Sequence, residues 1–140
     1  MRVKFKDLSP GDYVTKVACG AHHTSFLTRF KQVYVTGANN LGQLGIDSLE
    51  SQINCPTLVQ TLADKLIADI ACGEGSFAIT TIGELYVWGL YNMELYRKPF
   101  MPSAFSRPIT SVSQSFFGVT AAVDLDEQAW FWYSQLNKGT

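Results

Sequence analysis

Val17-Ala18-Cys19-Gly20 returns as Ile70-Ala71-Cys72-Gly73, and Val33-Tyr34-Val35-Thr36-Gly37 returns as Leu85-Tyr86-Val87-Trp88-Gly89. The first pair is offset by 53 residues and the second by 52. The second copy has therefore lost one residue between the blocks. A weaker third copy follows, with Val112-Ser113-Gln114-Ser115 for the first block and Ala129-Trp130-Phe131-Trp132-Tyr133 for the second. Two unrelated blocks that keep their order and near-constant spacing are the mark of a repeat architecture.

Within each copy the pattern is that of strands. Thr24–Thr28 and Phe77–Thr81 are short and rich in β-formers. Each leads through a turn pair, Lys31-Gln32 or Gly83-Glu84, into a second strand that ends at Gly37 or Gly89. Ala38-Asn39-Asn40-Leu41-Gly42 is turn chemistry, because glycine and asparagine tolerate positive φ. The window Leu58–Ala68 reads as one short helix or as a strand turning at Asp64-Lys65, and Pro56 before an apolar run favours the strand. A unit of about 50 residues holding several short strands has the size of one propeller blade. The repeated glycines would allow close backbone approach near the hub, and the repeated aromatics would fill the wedges between blades.

These residues resemble the regulator of chromosome condensation repeat, roughly V-x-x-G-x-x-H-x-x-A-L followed by G-x-V-Y-x-W-G-x-N-x-x-G-Q-L-G. Copy one supplies Val17, Gly20, His23 and Leu27, then Val33-Tyr34, Gly37, Asn39 and Gly42-Gln43-Leu44-Gly45. Copy two keeps Gly73, Gly83, Trp88 and Gly89, has Gly75 or Ser76 where the histidine belongs, and loses the Gly-Gln-Leu-Gly tail. Copy three keeps Ala122 and Trp132, with Ser115 for the first glycine. The resemblance implies an all-β fold, part of a seven-bladed β-propeller. About 2.5–3 blades would form an open arc, a single partial propeller over 1–140 with repeats at 1–53, 54–108 and a truncated 109–140. Three blades cannot close a ring, and open ends expose strand edges and apolar faces. The chain is thus expected to be a segment of a longer polypeptide or an arc completed by another chain, and to self-associate when isolated.

The 140 residues are 46% hydrophobic, 13% aromatic and 16% charged, with net charge −1. That composition supports a packed core and excludes a coiled coil, a disulfide mini-protein or a polybasic membrane binder. The balanced charge argues against a nucleic-acid partner. No apolar run reaches the length of a membrane span, and the N-terminus lacks the apolar centre of a signal peptide. Cys19, Cys55 and Cys72, an odd number with no close pair, read as reduced, buried and intracellular, cytoplasmic or alternatively nuclear.

Sites of chemistry are not expected: no catalytic, cofactor-binding or metal residue is assigned. Thr36–Gly42 has Asn39 where a dinucleotide fingerprint needs its second glycine, and no helical stripe follows. His22, His23 and the cysteines lack zinc-ligand spacing. The serines lack a nucleophile elbow, and Asp124–Glu127 reads as a solvated hairpin turn. His23 is expected to hydrogen-bond the backbone of a neighbouring blade. The structural repeat positions are Gly20, His23, Gly37, Asn39, Gly42, Gln43, Gly45, Gly73, Trp88, Gly89 and Trp132. Residues 91–108 are expected to be an irregular, aromatic, basic loop in which Tyr96, Arg97, Lys98, Phe100, Phe105 and Arg107 bind a partner. The expected role is a non-enzymatic protein–protein interaction or scaffold module, its partners being other protein chains or the remaining blades. The resemblance implies, as the alternative, guanine-nucleotide exchange on a Ran-like small GTPase, with association to chromatin.

Overall fold

The computed structural model describes residues 1–105, 107–116 and 118–133. Three antiparallel sheets follow one another along the chain. Blade 1 contains β1 (Val14–Cys19), β2 (His23–Thr28), β3 (Val33–Ala38) and β4 (Gln52–Leu58). Blade 2 contains β5 (Ile67–Cys72), β6 (Ser76–Thr80), β7 (Leu85–Tyr91) and β8 (Glu94–Phe100). Blade 3, among the described residues, contains β9 (Ile109–Gln114), β10 (Val119–Asp124) and β11 (Ala129–Tyr133). Strand order is sequential in every sheet, and β5 lies beside β1 on one side and β9 on the other. The molecule is all-β and forms an arc of a propeller. The two prolines inside strands, Pro56 and Pro99, both lie on the outermost strand of their sheet, where a missing N–H breaks no interior ladder.

The core lies between the sheets, and strand alternation explains it. From blade 2, Ala78, Tyr86 and Trp88 join a cluster with Leu27, Val35, Leu44 and Leu62 on the blade 1 side. The alternate residues Phe77, Ile79, Leu85 and Val87 join Ile109, Val112 and Ala122 on the blade 3 side. Blade 2 is therefore buried on both faces. Register equates Val17, Ile70 and Val112, each on a first strand and opposite Phe26, Ala78 and Ala122. Ile70 is 2% exposed and Val112 7%, whereas Val17, on a flank that faces no other blade among the described residues, is 50% exposed. Nearer the rim that flank is covered by the segment before β1: Phe5 packs edge-on against Phe26 and Tyr34, with ring centroids at 5.0 and 5.4 Å.

Four expectations about local structure are corrected. Residues 58–68 form neither a helix nor a turning strand: β4 ends at Leu58 and a single 3₁₀ turn, Gln60–Leu62, carries Leu62 into the core. Residues 91–108 are not irregular throughout. Asn92 and Met93, both at positive φ (48° and 69°), make a tight turn from β7 into β8, so Tyr96, Arg97, Lys98 and Phe100 are strand residues. The cysteines are not all buried: Cys19 and Cys55 are exposed and Cys72 is half-enclosed. Asp124 is not solvated. It is buried and accepts hydrogen bonds from Trp130 Nε1 and from the Gln128 and Asp126 amides at 2.9–3.0 Å, which hold its carboxyl below the ordinary carboxylate range.

Candidate functional site

The repeat residues converge on the junctions between blades. At the junction of blades 1 and 2, β1 and β5 run side by side, and the Ala21 amide donates to Gly73 O at 2.9 Å. Such an approach needs a bare backbone. A Cβ on Gly20 would lie 2.5 Å from Gly73 O and 2.7 Å from His23 Nδ1. His23 is itself buried. Its Nε2 lies 2.7 Å from Ser76 Oγ, which donates onward to Gln43 O at 2.6 Å. The hydroxyl's single proton is thus committed to Gln43, and His23 is the donor to Ser76. A backbone partner on the next blade, Gly75, is present as expected, and the Ser76 hydroxyl joins it. Burial lowers the His23 pKa from 6.5 to about 4, against an opposing backbone hydrogen bond at Gly75, with His22 adding a smaller downward push. The ring is neutral at pH 7.

Loop 39–51 seals the same junction. Asn39 is buried and organises the loop: Nδ2 donates to Ser48 O and Glu50 O at 3.0 and 3.1 Å, and Oδ1 accepts from the Leu44 amide. Gln43 Oε1 accepts from the Leu41 amide at 2.8 Å. Gly42 (φ 71°) passes against Arg97, and Gly45 (φ 68°) lies on the face of Trp88, where a Cβ would come within 2.7 Å of the indole. Gly89 abuts Gln43 and Gly75, and Gly37 abuts His23 from within its own sheet. Gly20, His23, Gly37, Asn39, Gly42, Gln43, Gly45, Trp88 and Gly89 therefore meet in one junction.

Gly73 faces both junctions, and Trp132 belongs to the next one. There a Cβ on Gly73 would come within 2.5 Å of Gln114 Oε1. Gln114 accepts from the Gly75 amide at 2.8 Å and donates to Thr120 Oγ1 at 2.9 Å. Trp132 packs on Tyr91 and Phe105 with ring centroids at 6.0 and 5.4 Å, and Tyr96 stacks on Phe100 at 3.9 Å.

The six side chains expected to meet a partner are engaged within the chain. Arg97 donates to Ser48 O at 3.3 Å, Lys98 pairs with Asp47 at 3.0 Å, and Arg107 holds Asp126 through two nitrogens at 2.6 and 2.8 Å. The Tyr96 hydroxyl donates to Glu94 at 2.7 Å. Phe100 and Phe105 lie in the aromatic cluster. The sequence did not point to Ser76 as a hydrogen-bond partner of His23, nor to Gln114 as a functional position. The 53-residue offset placed the histidine position at Gly75 or Ser76. The register settles it, since Ser76 opposes Trp88 as Thr24 opposes Thr36, leaving Gly75 in the place of His23.

Two family models described as the regulator of chromosome condensation (RCC1) repeat match residues 32–79 and 14–43. Residues 14–79 match RCC1 repeats. Among curated relatives, the mitochondrial RCC1 domain-containing protein RUG3 of Arabidopsis thaliana is 45% identical over 80 residues, and the regulator of chromosome condensation of Drosophila melanogaster is 36% identical over 77. The matches cover 56% and 54% of this chain but only 18% and 14% of those proteins. The match thus spans less than a fifth of these two curated relatives. Human WBSCR16 (TM-score 0.75, 22% identical) shares the fold. So does Prp20p of Saccharomyces cerevisiae (TM-score 0.73, 20% identical), which was studied for its binding to Gsp1p and histones. The two similarities cover 86% of this chain and 33% and 32% of the others.

Proposed function

We propose that the chain is a non-enzymatic protein–protein interaction module, working inside the cell as part of a larger assembly built on RCC1-like repeats. The observation that carries this reading is the β7–β8 hairpin with the segment after it. Where blade 1 has loop 39–51 folded back into a junction, blade 2 has a tight hairpin, with Met93 and Leu95 about half exposed at its turn. Methionine is unbranched and polarizable, and adapts to partner surfaces. Because Arg97, Lys98 and Arg107 already have partners within the chain, recognition here runs through apolar side chains framed by ion pairs. The test is the native size of the complex isolated with tagged full chain carrying Met93→Glu and Leu95→Glu. A smaller complex with an unchanged Tm is expected; an unchanged complex would overturn the reading.

A second reading is guanine-nucleotide exchange on a Ran-like small GTPase, with a nuclear, chromatin-associated site of action. It is supported by the Drosophila relative at 36% identity over 77 residues. A nucleotide-release assay decides it: acceleration by the protein supports exchange, and no acceleration removes it.

A further inference from the structure

The two junctions are equivalent in register but differ in the group that bridges them. In the first, the His23 imidazole sits over Gly20 and reaches Ser76 Oγ of the next blade. In the second, register puts Gly75 in the histidine's place and Thr120 in the place of Ser76. The space is filled from the opposite side. The Gln114 amide sits over Gly73, takes the Gly75 N–H and gives its own N–H to Thr120 Oγ1. A primary amide offers the same acceptor-and-donor pair as a neutral imidazole, but it does not titrate in the physiological range.

We propose that Gln114 substitutes for a missing junction histidine, and that the blade 1–2 junction is consequently the acid-labile one of the two. Protonating His23 would require a second proton on a ring buried against backbone and a hydroxyl that is already donating elsewhere, so acid favours the open junction. The titratable groups around the ring are few. His22 is on the same turn. Across the junction are Glu74, between Gly73 and Gly75, and Cys72, whose thiol is pushed up to about 11 by burial and stays protonated over the acid range. Loop 39–51 contributes only the Gln43 carbonyl. Lys16 pairs with Asp69 on the neighbouring first strands. At the second junction the bridging pair, Gln114 and Thr120, is neutral at every pH of interest.

Amide hydrogen exchange on the full chain, followed residue by residue from pH 7.5 to 4.5, tests this directly. The Ala21 amide spans the first junction and the Gly75 amide the second. After correction for intrinsic exchange, protection of Ala21 is expected to fall roughly 70-fold, the linkage expected for a group titrating at 6.5 when open and about 4 when closed. Protection of Gly75 should change by less than about 3-fold, because neither bridging group titrates. His23→Gln should flatten the Ala21 profile, and Glu74→Gln should leave it intact. If the two amides lose protection together, or Ala21 holds its protection at pH 4.5, the proposal fails. Loss of the response in Glu74→Gln would also overturn it, by assigning the effect to the carboxylate. Should His23→Gln not fold, the wild-type pH series still decides.

Discussion

The junction of blades 1 and 2 and the junction of blades 2 and 3 occupy the same place in the repeat, yet the chain closes them with different materials. The first is closed by a loop: residues 39–51, clasped by Asn39, lay Gly42, Gln43 and Gly45 against Arg97, Ser76 and Trp88. Blade 2 has no such loop, only the turn Asn92-Met93. The second junction is closed by rings, with Tyr91, Tyr96, Phe100, Phe105 and Trp132 in mutual contact. A backbone loop seals through hydrogen bonds and needs glycine where it crosses a tryptophan. An aromatic cluster seals through area and tolerates replacement by volume. The fold thus demands that the wedge be filled and leaves open how.

The sharpest way to break this contrast is Gly20→Val against Gly73→Val. At Gly20 the added carbons meet the Gly73 carbonyl and the imidazole, neither free to withdraw, and denaturant unfolding should show a loss of about 3 kcal/mol or more. At Gly73 they meet the amide, Cγ and Cβ of Gln114 at 2.5–2.8 Å, of which only the amide end can swing aside, and a somewhat smaller loss of about 2–3 kcal/mol is expected. Equal losses would mean that Gln114 is held as rigidly as His23. Next come the two tryptophans. Trp88 is fully buried and Trp132 only partly, so Trp88→Ala should cost about 3–5 kcal/mol and Trp132→Ala visibly less in the same measurement.

Acid gives the third effect. His23 is held below its unfolded pKa, so the unfolded chain binds the extra proton first and stability falls as pH drops from 6.5 toward about 4. Between pH 7.5 and 5 the loss should be about 2 kcal/mol, read from denaturant midpoints, and His23→Gln should remove most of it. Lys98→Ala comes last. Its pair with Asp47 joins the two blades, but both side chains are more than half exposed, and Tm should shift by no more than the equivalent of about 0.5 kcal/mol.

Much of this was legible in the sequence wherever a residue's role is local. Asn39 through Gly45 declared a tight turn by their positive-φ preferences, and the paired offsets of Gly20/Gly73 and Gly37/Gly89 declared the blades. The all-β arc followed from those. Roles set by a neighbouring blade were harder to read. Cys19 and Cys72 look alike in sequence, but Cys72 faces blade 1 across a junction, its thiol donating to Ser25 at 3.2 Å, while Cys19 has no blade on its side among the described residues and is exposed. The hairpin at Asn92-Met93 was missed because methionine at positive φ is not a turn signal. Leu58–Ala68 was misread because one 3₁₀ turn has too short a period to separate from strand or helix. Asp124 looked solvated because acidic clusters usually are, and the Trp130 indole that draws it inward lies across the hairpin.

The clasped loop of blade 1 also bears on how the protein is made. Its Leu44 and Gln43 find their cover and their hydrogen-bond partner only in residues up to Trp88, synthesised some forty positions later. A ribosome delivering the chain N-terminus first therefore releases blade 1 with a ready-made latch and no strike plate. Closure waits until β7 has emerged, so during translation blade 1 depends on the blade made after it.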